Sequence, residues 1–352
     1  MIINETFVIG LMSGTSLDGV DIVYVRFDET DDRNFKIIHT QTVPYTNEWK
    51  ALLQNAIHQS AAELKDLDVV YGQFLAGIIN DFMEKHRIKH VDFIASHGHT
   101  VLHQPKNGIT LQIGNGKEIA KITNQKVVCD FRTQDVKLGG QGAPLVPIGD
   151  ELLFSDYDFC LNLGGFSNIS YHKDNERIAF DICPVNIVLN FYANKLGLAY
   201  DAFGEIASKG TVNRQLLEKL NELGYYKKSH PKSLGLEWVQ QHVFPLIDDL
   251  EIDIPTILST LVEHIAMQIG KVIVHNNQVL VTGGGAFNTF LIERIQFYAS
   301  NKIDLPSQEL INFKEALLFA FLGLLRIQHK INCLKSVTGA RKNHSSGVLF
   351  VP

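Results

Sequence analysis

The segment FVIGLMSGTSLDGVDIVYVRFD (7–28) decides how the rest of the chain is read. Phe7 to Met12 is apolar and reads as a strand. Val20 to Phe27 is rich in β-branched and aromatic residues and reads as a second strand. Between them Ser13 to Gly19 consists largely of Ser, Gly, Thr and Asp, the composition of a tight turn. The segment is therefore expected to be a hairpin whose turn carries small and hydroxyl-bearing residues.

Working outward, the same unit recurs near the middle. Phe159 to Leu163 reads as a strand, Gly164-Gly165-Phe166-Ser167-Asn168 as its turn, and Ile169 onward as the return strand; a further turn at 172–175 leads into Arg177 to Phe180. Two copies of strand, small-residue turn and strand point to two related domains facing each other. A third unit differs. Gln278 to Thr282 is a short apolar strand that ends in Gly283-Gly284-Gly285. A helical pattern follows from Asn288, with Phe290, Leu291, Ile292 and Ile295 on one broad face. Strand, glycines and helix together are expected to present free backbone N–H groups to an anion or nucleotide. Helical patterns cover 47–63, 64–87, 185–196, 211–223, 256–275 and 313–328. Strands alternating with helices give an α/β class.

With 352 residues the chain has room for about two domains, and 45% hydrophobic against 20% charged residues excludes disorder as its main state. A formal net charge of −6 gives no footprint for nucleic acid. Cys129, Cys160, Cys183 and Cys333 form no C-x-x-C pair, so neither a zinc ribbon nor a disulfide framework is expected, and a reducing compartment fits better. Ala316 to Leu325 is the longest purely apolar run and is too short to cross a bilayer, which takes about 20 residues. It reads as a buried helix. With no basic signal at the N-terminus, a cytoplasmic protein with no membrane partner is expected.

Several positions carry chemistry. Small residues in the 13–21 turn let backbone N–H groups approach phosphate oxygens, and Thr15 and Ser16 add hydroxyl donors. Asp18 suits an anion site only if a cation such as Mg²⁺ lies between it and the phosphates; the plainer reading is a surface turn. Neither G-x-x-x-x-G-K-[ST] nor G-x-G-x-x-G occurs at these glycines, which disfavours P-loop and dinucleotide folds. At Ser96-His97-Gly98-His99-Thr100 a strand is expected to end in polar groups, either a sugar-contacting edge or a plain loop; His97 and His99 lack a third metal ligand at usual spacing. Arg132 follows the strand Val127-Val128 and suits a carboxylate or sugar hydroxyls, or else an ion pair with Asp130 or Asp135. Asp181 suits a general base, or an N-cap for a helix starting near Pro184. Glu315 reads as a first-turn helix acid or as a ligand to a hydroxyl.

Taken together, GLMSGTSLDGVD (10–21), SHGHTVLHQP (96–105), TLQIGNG (110–116), VVCDFRTQDVKLGGQGAPLVP (127–147), LNLGGFSNIS (161–170), FDICPVN (180–186), PKSLG (231–235), VTGGGAFN (281–288), KEALLFAFL (314–322) and SVTGA (336–340) resemble the anhydro-N-acetylmuramic acid kinases, within the sugar kinase, heat-shock ATPase and actin superfamily. The resemblance implies a two-lobed actin-like, sugar-kinase fold with duplicated β-sheet domains and a central cleft, the lobes being 1–130 with 335–352 and 131–334. It also implies ATP, Mg²⁺ and a 1,6-anhydro sugar as ligands, and a homodimer. By position, Gly14, Thr15, Ser16, Leu17, Asp18, Gly19, Val20 and Asp21 match the first phosphate loop, with Asp18 serving the metal. Gly164, Gly165 and Asn168 match the second phosphate loop, and Gly283, Gly284 and Gly285 the adenosine platform. Thr100, Arg132 and Glu315 fall on sugar-binding positions and Asp181 on the catalytic base. The family reaction adds water to the anomeric carbon and the γ-phosphoryl group to O6. Three departures stand out. Ile182-Cys183-Pro184-Val185-Asn186 replaces the usual Thr-Gly-Pro-Gly-Asn, Lys314 replaces Met, and His99 replaces Gln. All three are expected beside the sugar rather than the nucleotide.

Overall fold

The computed structural model describes residues 5–14, 17–28, 30–273 and 277–352, and its contacts divide the chain into two units, residues up to Ser155 with Phe313–Pro352, and Asp156–Asn312. The breaks fall at 155/156 and 312/313 instead of 130/131 and 334/335. The intervening residues are bonded into the first unit. Ser346 Oγ donates to the Phe131 carbonyl at 2.6 Å, the Gln141 N–H donates to the Thr338 carbonyl at 2.8 Å, and a Cβ on Gly149 would lie 2.3 Å from the Leu318 side chain.

In the first unit β1 (Glu5–Ser13), β2 (Gly19–Asp28) and β3 (Asp31–Pro44) form an antiparallel meander. β4 (Phe93–Gln104) lies parallel to β1, β5 (Ile109–Ile113) folds back on β4, and β6 (Val127–Cys129) is parallel to β4. The terminal strand Val348–Phe350 pairs antiparallel with β6 at the edge. The second unit repeats this plan. β7 (Phe159–Leu163), β8 (Phe166–Lys173) and β9 (Glu176–Pro184) form a meander, β10 (Gln278–Thr282) is parallel to β7, and β11 (Lys302–Asp304) is parallel to β10. Without β5 and the terminal strand, the two sheets have the same order and polarity, so the duplication read from the hairpins extends to whole sheets.

Local sequence explains the elements that support each sheet. The helix Ala61–Lys85 starts at a capping box: the Ser60 hydroxyl accepts the Glu63 N–H, and the Glu63 carboxylate accepts the Ser60 N–H at 2.8 Å. Leu64, Leu67, Tyr71, Leu75, Ile78 and Phe82 recur every three or four residues and are buried on the first sheet's core. The helix Gln308–Ile327 is buried all round from Ala316 to Leu325, as the apolar run implied. It reaches β1 at Gly10, where a Cβ would lie 2.3 Å from the Ala316 carbonyl oxygen, so only glycine permits this approach. Burying each large apolar side chain in these cores contributes about 1.5–3 kcal/mol. Among the described residues no helix is long and apolar enough to cross a membrane.

Candidate active site

In the first unit the hairpin turn joins Ser13 to Gly19, with Leu17 at φ +59° and its N–H donating to the Gly14 carbonyl at 3.4 Å. Thr15 and Ser16 lie outside the described residues. Asp18 is exposed. Gly19 is needed for packing, because a Cβ there would lie 2.3 Å from the Val43 carbonyl oxygen of β3. Val20 buries its side chain in the core. Asp21 accepts a hydrogen bond from Thr42 Oγ1 at 2.6 Å. Burial raises its pKa, the Thr42 bond opposes this, and the Asp18 carboxylate adds to the rise. The two carboxylates of the turn are thus within electrostatic range of each other.

β4 does not end at Ala95 but continues to Gln104, with a register shift against β1 between Ser96 and His99. Gly98 sits in the shift at φ +73°, and a Cβ there would lie 2.4 Å from the Ile113 carbonyl oxygen. The glycine read as a strand end is a bulge. His97 and His99 are buried and Thr100 is half-buried, its Oγ1 accepting from Gln112 Nε2 at 3.3 Å. Burial lowers the His99 pKa to about 4. That ring contacts Ser13 Oγ at 3.2 Å and continues a chain through Tyr45, 2.6 Å from Ser13, to Tyr71. Sequence reasoning missed Tyr45 and Tyr71, since nothing local marks a tyrosine whose partner lies two elements away.

Arg132 pairs with neither Asp130 nor Asp135. Its Nε–H donates to His97 Nε2 at 3.0 Å and its Nη1 to the Gly142 carbonyl at 2.6 Å. Asp130 instead accepts the Thr133 N–H, and Asp135 accepts the Gly142 N–H. A guanidinium has five N–H donors, so the fork keeps donors for an anionic or hydroxyl-bearing ligand. Burial lowers the Arg132 pKa to about 10, with Glu315 acting against the fall. Glu315 is not a first-turn acid. The helix begins at Gln308, which puts Glu315 two turns inside it, with an exposed side chain. Surrounding protein raises its pKa, Arg132 opposes, and Asp21 adds to the rise; its open face screens these effects. Asp18, Asp21, Arg132 and Glu315 therefore share one electrostatic neighbourhood. A cavity of about 340 Å³ beside it takes in His97, Gln112, Asp68 and Asp130 but not Thr100, Arg132 or Glu315.

In the second unit the β7–β8 turn is Gly164-Gly165 alone; Asn168 lies within β8 and pairs with Asp181 of β9. Because β7 and β10 are parallel, with Asn162 opposite Thr282, the turns at 164–165 and 283–285 sit at the same carboxyl end of the sheet. That is where open α/β sheets bind ligands. Gly283 has φ +83° and a Cβ on it would lie 2.6 Å from Asn162 Oδ1, whereas a Cβ on Gly165 or Gly284 would meet only ordinary contacts, with Ile187 at 4.0 Å and Asn186 at 3.7 Å. The helix follows from Asn288, as expected. A 3₁₀ turn covers Gly284–Phe287, and the helix Thr289–Ala299 is capped by Asn288 Oδ1, which accepts the Leu291 N–H.

Asp181 is a strand residue and caps no helix; the helix Asn186–Asn194 begins after Val185 without a side-chain cap. Its Oδ2 accepts the Leu234 N–H at 2.9 Å and its carbonyl accepts the Tyr225 hydroxyl at 2.6 Å. Among the described residues, Oδ1 accepts no protein hydrogen bond. Burial raises the Asp181 pKa and the Leu234 bond opposes the rise. Lys232 projects beside it, its Nζ 4.7 Å from the Tyr225 ring centre and 5.6 Å from that of Phe180.

Two of the departures are engaged within the protein itself. Ile182, Cys183 and Val185 are buried in the second unit's core, and Cys183 is bonded to Ser167 through N–H and carbonyl. Lys314 turns from Glu315 to Asp150, with Nζ 2.7 Å from Oδ1 and both side chains buried.

Two α/β units, each opened by a strand, a small-residue turn and a strand, give the chain a duplicated α/β fold, with carboxylates and glycine turns of the kind a phosphotransferase uses. The family model of the anhydro-N-acetylmuramic acid kinases matches residues 6–352, and the chain belongs to that family. It is 34% identical to the anhydro-N-acetylmuramic acid kinase of Sulfurovum sp. (strain NBC37-1), over 99% of this chain and 100% of that one. It is 33% identical to the anhydro-N-acetylmuramic acid kinase of Bacillus cereus (strain Q1), over 98% and 99%. Among solved structures it is distantly similar to the activator of the 2-hydroxyisocaproyl-CoA dehydratase from Clostridium difficile with bound ADPNP, with 12% identity, coverage of 92% and 97%, and a TM-score of 0.46.

Proposed function

We propose that the chain hydrolytically opens 1,6-anhydro-N-acetylmuramic acid and phosphorylates its O6 with ATP, giving N-acetylmuramic acid 6-phosphate in cell-wall recycling. The observation that carries this reading is the setting of Asp181: held on β9 by Leu234, more basic than an ordinary carboxylate, with Oδ1 open. In this reading Oδ1 takes a proton from water as the water oxygen bonds to the anomeric carbon. The bond from that carbon to O6 breaks, O6 bonds to the γ-phosphorus, and ADP leaves. An inverting glycosidase needs an acid for the leaving oxygen; here the phosphoryl group takes that oxygen, so one carboxylate suffices. Thr100, Arg132 and Glu315 hold the sugar. Gly14 to Asp21 with Gly164, Gly165 and Asn168 take the phosphates, and Gly283 to Gly285 take the adenosine.

The chemistry of the turn fits Mg²⁺. Asp18 and Asp21 offer hard carboxylate oxygens close enough to raise the Asp21 pKa, and Asp18 is exposed. A divalent cation held there supplies charge neutralisation for the transferred phosphoryl group. Ile182, Cys183 and Val185 of the altered segment are buried in the second unit's core, which keeps these side chains from contacting a sugar directly. The chain acts as a cytoplasmic homodimer in this reading. Incubation with the anhydro sugar, ATP and Mg²⁺ is expected to give ADP and a ring-opened 6-phosphate by mass spectrometry. ADP formation indifferent to the anhydro sugar would overturn the proposal.

A further inference from the structure

We infer that Asp135, Cys333 and His344 form a buried site for one divalent transition-metal ion of the zinc type, outside the residues assigned to ATP and sugar. The backbone builds it. An isolated antiparallel bridge joins Cys333 and His344, with reciprocal N–H to carbonyl bonds of 3.1 Å, and sets their side chains together. Asp135, from the short helix Thr133–Lys137, meets them. Asp135, Cys333 and His344 are 0%, 1% and 5% exposed.

The geometry favours an ion over a hydrogen bond. His344 Nδ1 lies 3.2 Å from the Lys342 carbonyl, an acceptor, which puts the ring proton on Nδ1 and leaves a lone pair on Nε2. Nε2 is buried, has no hydrogen-bond partner among the described residues, and lies 3.6 Å from Asp135 Oδ1. That is too long for a hydrogen bond. Cys333 Sγ lies 3.1 Å from the same oxygen, and the three ligand atoms all lie within 4.8 Å of one another. Metal–ligand bonds of about 2.0–2.3 Å in a tetrahedron separate neighbouring ligand atoms by roughly 3.3–3.5 Å, near the spacings found.

Charge points the same way. Without an ion, the Asp135 carboxylate meets neutral donors: Cys333 S–H, Thr338 O–H at 2.7 Å and the Gly142 N–H at 2.7 Å. Arg132 is in electrostatic range but directs its Nε and Nη1 to His97 and the Gly142 carbonyl. One carboxylate, one thiolate and one neutral imidazole cancel a dication, the state in which charge is buried at least cost. The Cys333 proton leaves to solvent on binding. Lys342 already orients the imidazole, and Gly142 with Thr338 orient the carboxylate, as outer partners do in metal sites. The ion would fasten the C-terminal segment to the 140–142 loop that Arg132 also contacts, a structural role.

The test uses the whole chain, stripped of metal, dialysed against micromolar Zn²⁺ or titrated with Co²⁺. About one zinc per chain should be retained, Tm should rise by about 5 °C or more, and Co²⁺ should give a thiolate charge-transfer band. Cys333→Ser and His344→Gln should abolish the band and the Tm rise. No retained zinc and no band, or a band unchanged in both variants, overturns the proposal. Where the variants do not fold, zinc-edge X-ray absorption on the native chain decides: one sulfur in the first shell supports the site, and only oxygen and nitrogen overturns it.

Discussion

Arg132 donates its Nε–H to the bare Nε2 of His97 at 3.0 Å, which fixes the charge state of both. The guanidinium stays charged, so the imidazole must stay neutral. Burial, with the Arg132 charge second, holds the His97 pKa well below its ordinary value. A residue that resembles half of a metal pair in the sequence is thus a positioning residue: with the Gly142 carbonyl it fixes the orientation of the guanidinium fork.

Buried neutral imidazoles give the first prediction. Burial puts His99 at about 4 in the folded chain, against an ordinary 6.5. Between those values the unfolded chain binds more protons, so the stability His99 contributes is full above about pH 6.5 and is lost as pH falls toward 4. A gap of that size is worth about 3 kcal/mol. His99→Gln should therefore flatten the fall in unfolding free energy between pH 7 and 4 by about that amount. Urea denaturation at several pH values measures it, and parallel profiles for mutant and native chain would count against the assignment.

A second prediction concerns Lys314, the position expected beside the sugar. Its ion pair with Asp150 is buried, and removing one partner strands the other's charge, at a cost of about 3–5 kcal/mol. Lys314→Met alone should lose that much stability, Asp150→Asn in the same chain should restore most of it, and KM for the sugar should hardly move. A Lys314→Met chain of native stability with an altered sugar KM would return this residue to the substrate.

The hairpins were legible because their patterns are local: apolar strands flanking turns of small residues, which became β1–β2 and β7–β8. The readings that failed relied on single residues whose meaning depends on a partner strand. Gly98 suggests a strand end, yet it bulges a strand that β1 and β5 hold on either side. Pro184 suggests a helix start behind Asp181, yet β9 runs on to Pro184 because β8 pairs with it beyond a bulge at Ile182, up to Phe166 opposite Pro184. Lys314 and Glu315 are neighbours in sequence, but helical rotation aims one at Asp150 and leaves the other exposed. Asp135 and Cys333 lie 198 residues apart, so no spacing rule links them.

Asp18 gives a third prediction. Asp18→Asn keeps the size of the side chain and removes the charge that best explains a carboxylate in a phosphate turn. The apparent Mg²⁺ requirement for ATP turnover should rise about 10–100-fold, while sugar binding by calorimetry stays within twofold. The Asp21 carboxyl should also titrate lower once its neighbour is neutral. Unchanged turnover at limiting Mg²⁺ would leave Asp18 as a turn residue.

The last prediction separates chemistry from structure at Asp181. Asn can accept the Leu234 N–H through its amide oxygen, and the Tyr225 bond goes to the backbone, so Asp181→Asn should fold normally. Its stability should if anything rise at neutral pH. Burial raises the Asp181 pKa, so the folded chain favours the protonated acid, and that contribution is present below the ordinary Asp range and lost as pH rises through the folded value. Asn carries no charge to desolvate, so the Tm difference between mutant and native chain should shrink on acidification. Turnover should behave oppositely: the amide cannot take a proton from water, and kcat should fall by about 10²–10⁴-fold with sugar and ATP affinities retained. In H₂¹⁸O the native product should carry label at the anomeric hydroxyl and none in phosphate, because water attacks carbon while O6 attacks phosphorus. Label appearing in inorganic phosphate would reduce the reaction to ATP hydrolysis, and Asp181 would lose its role as the base for ring opening.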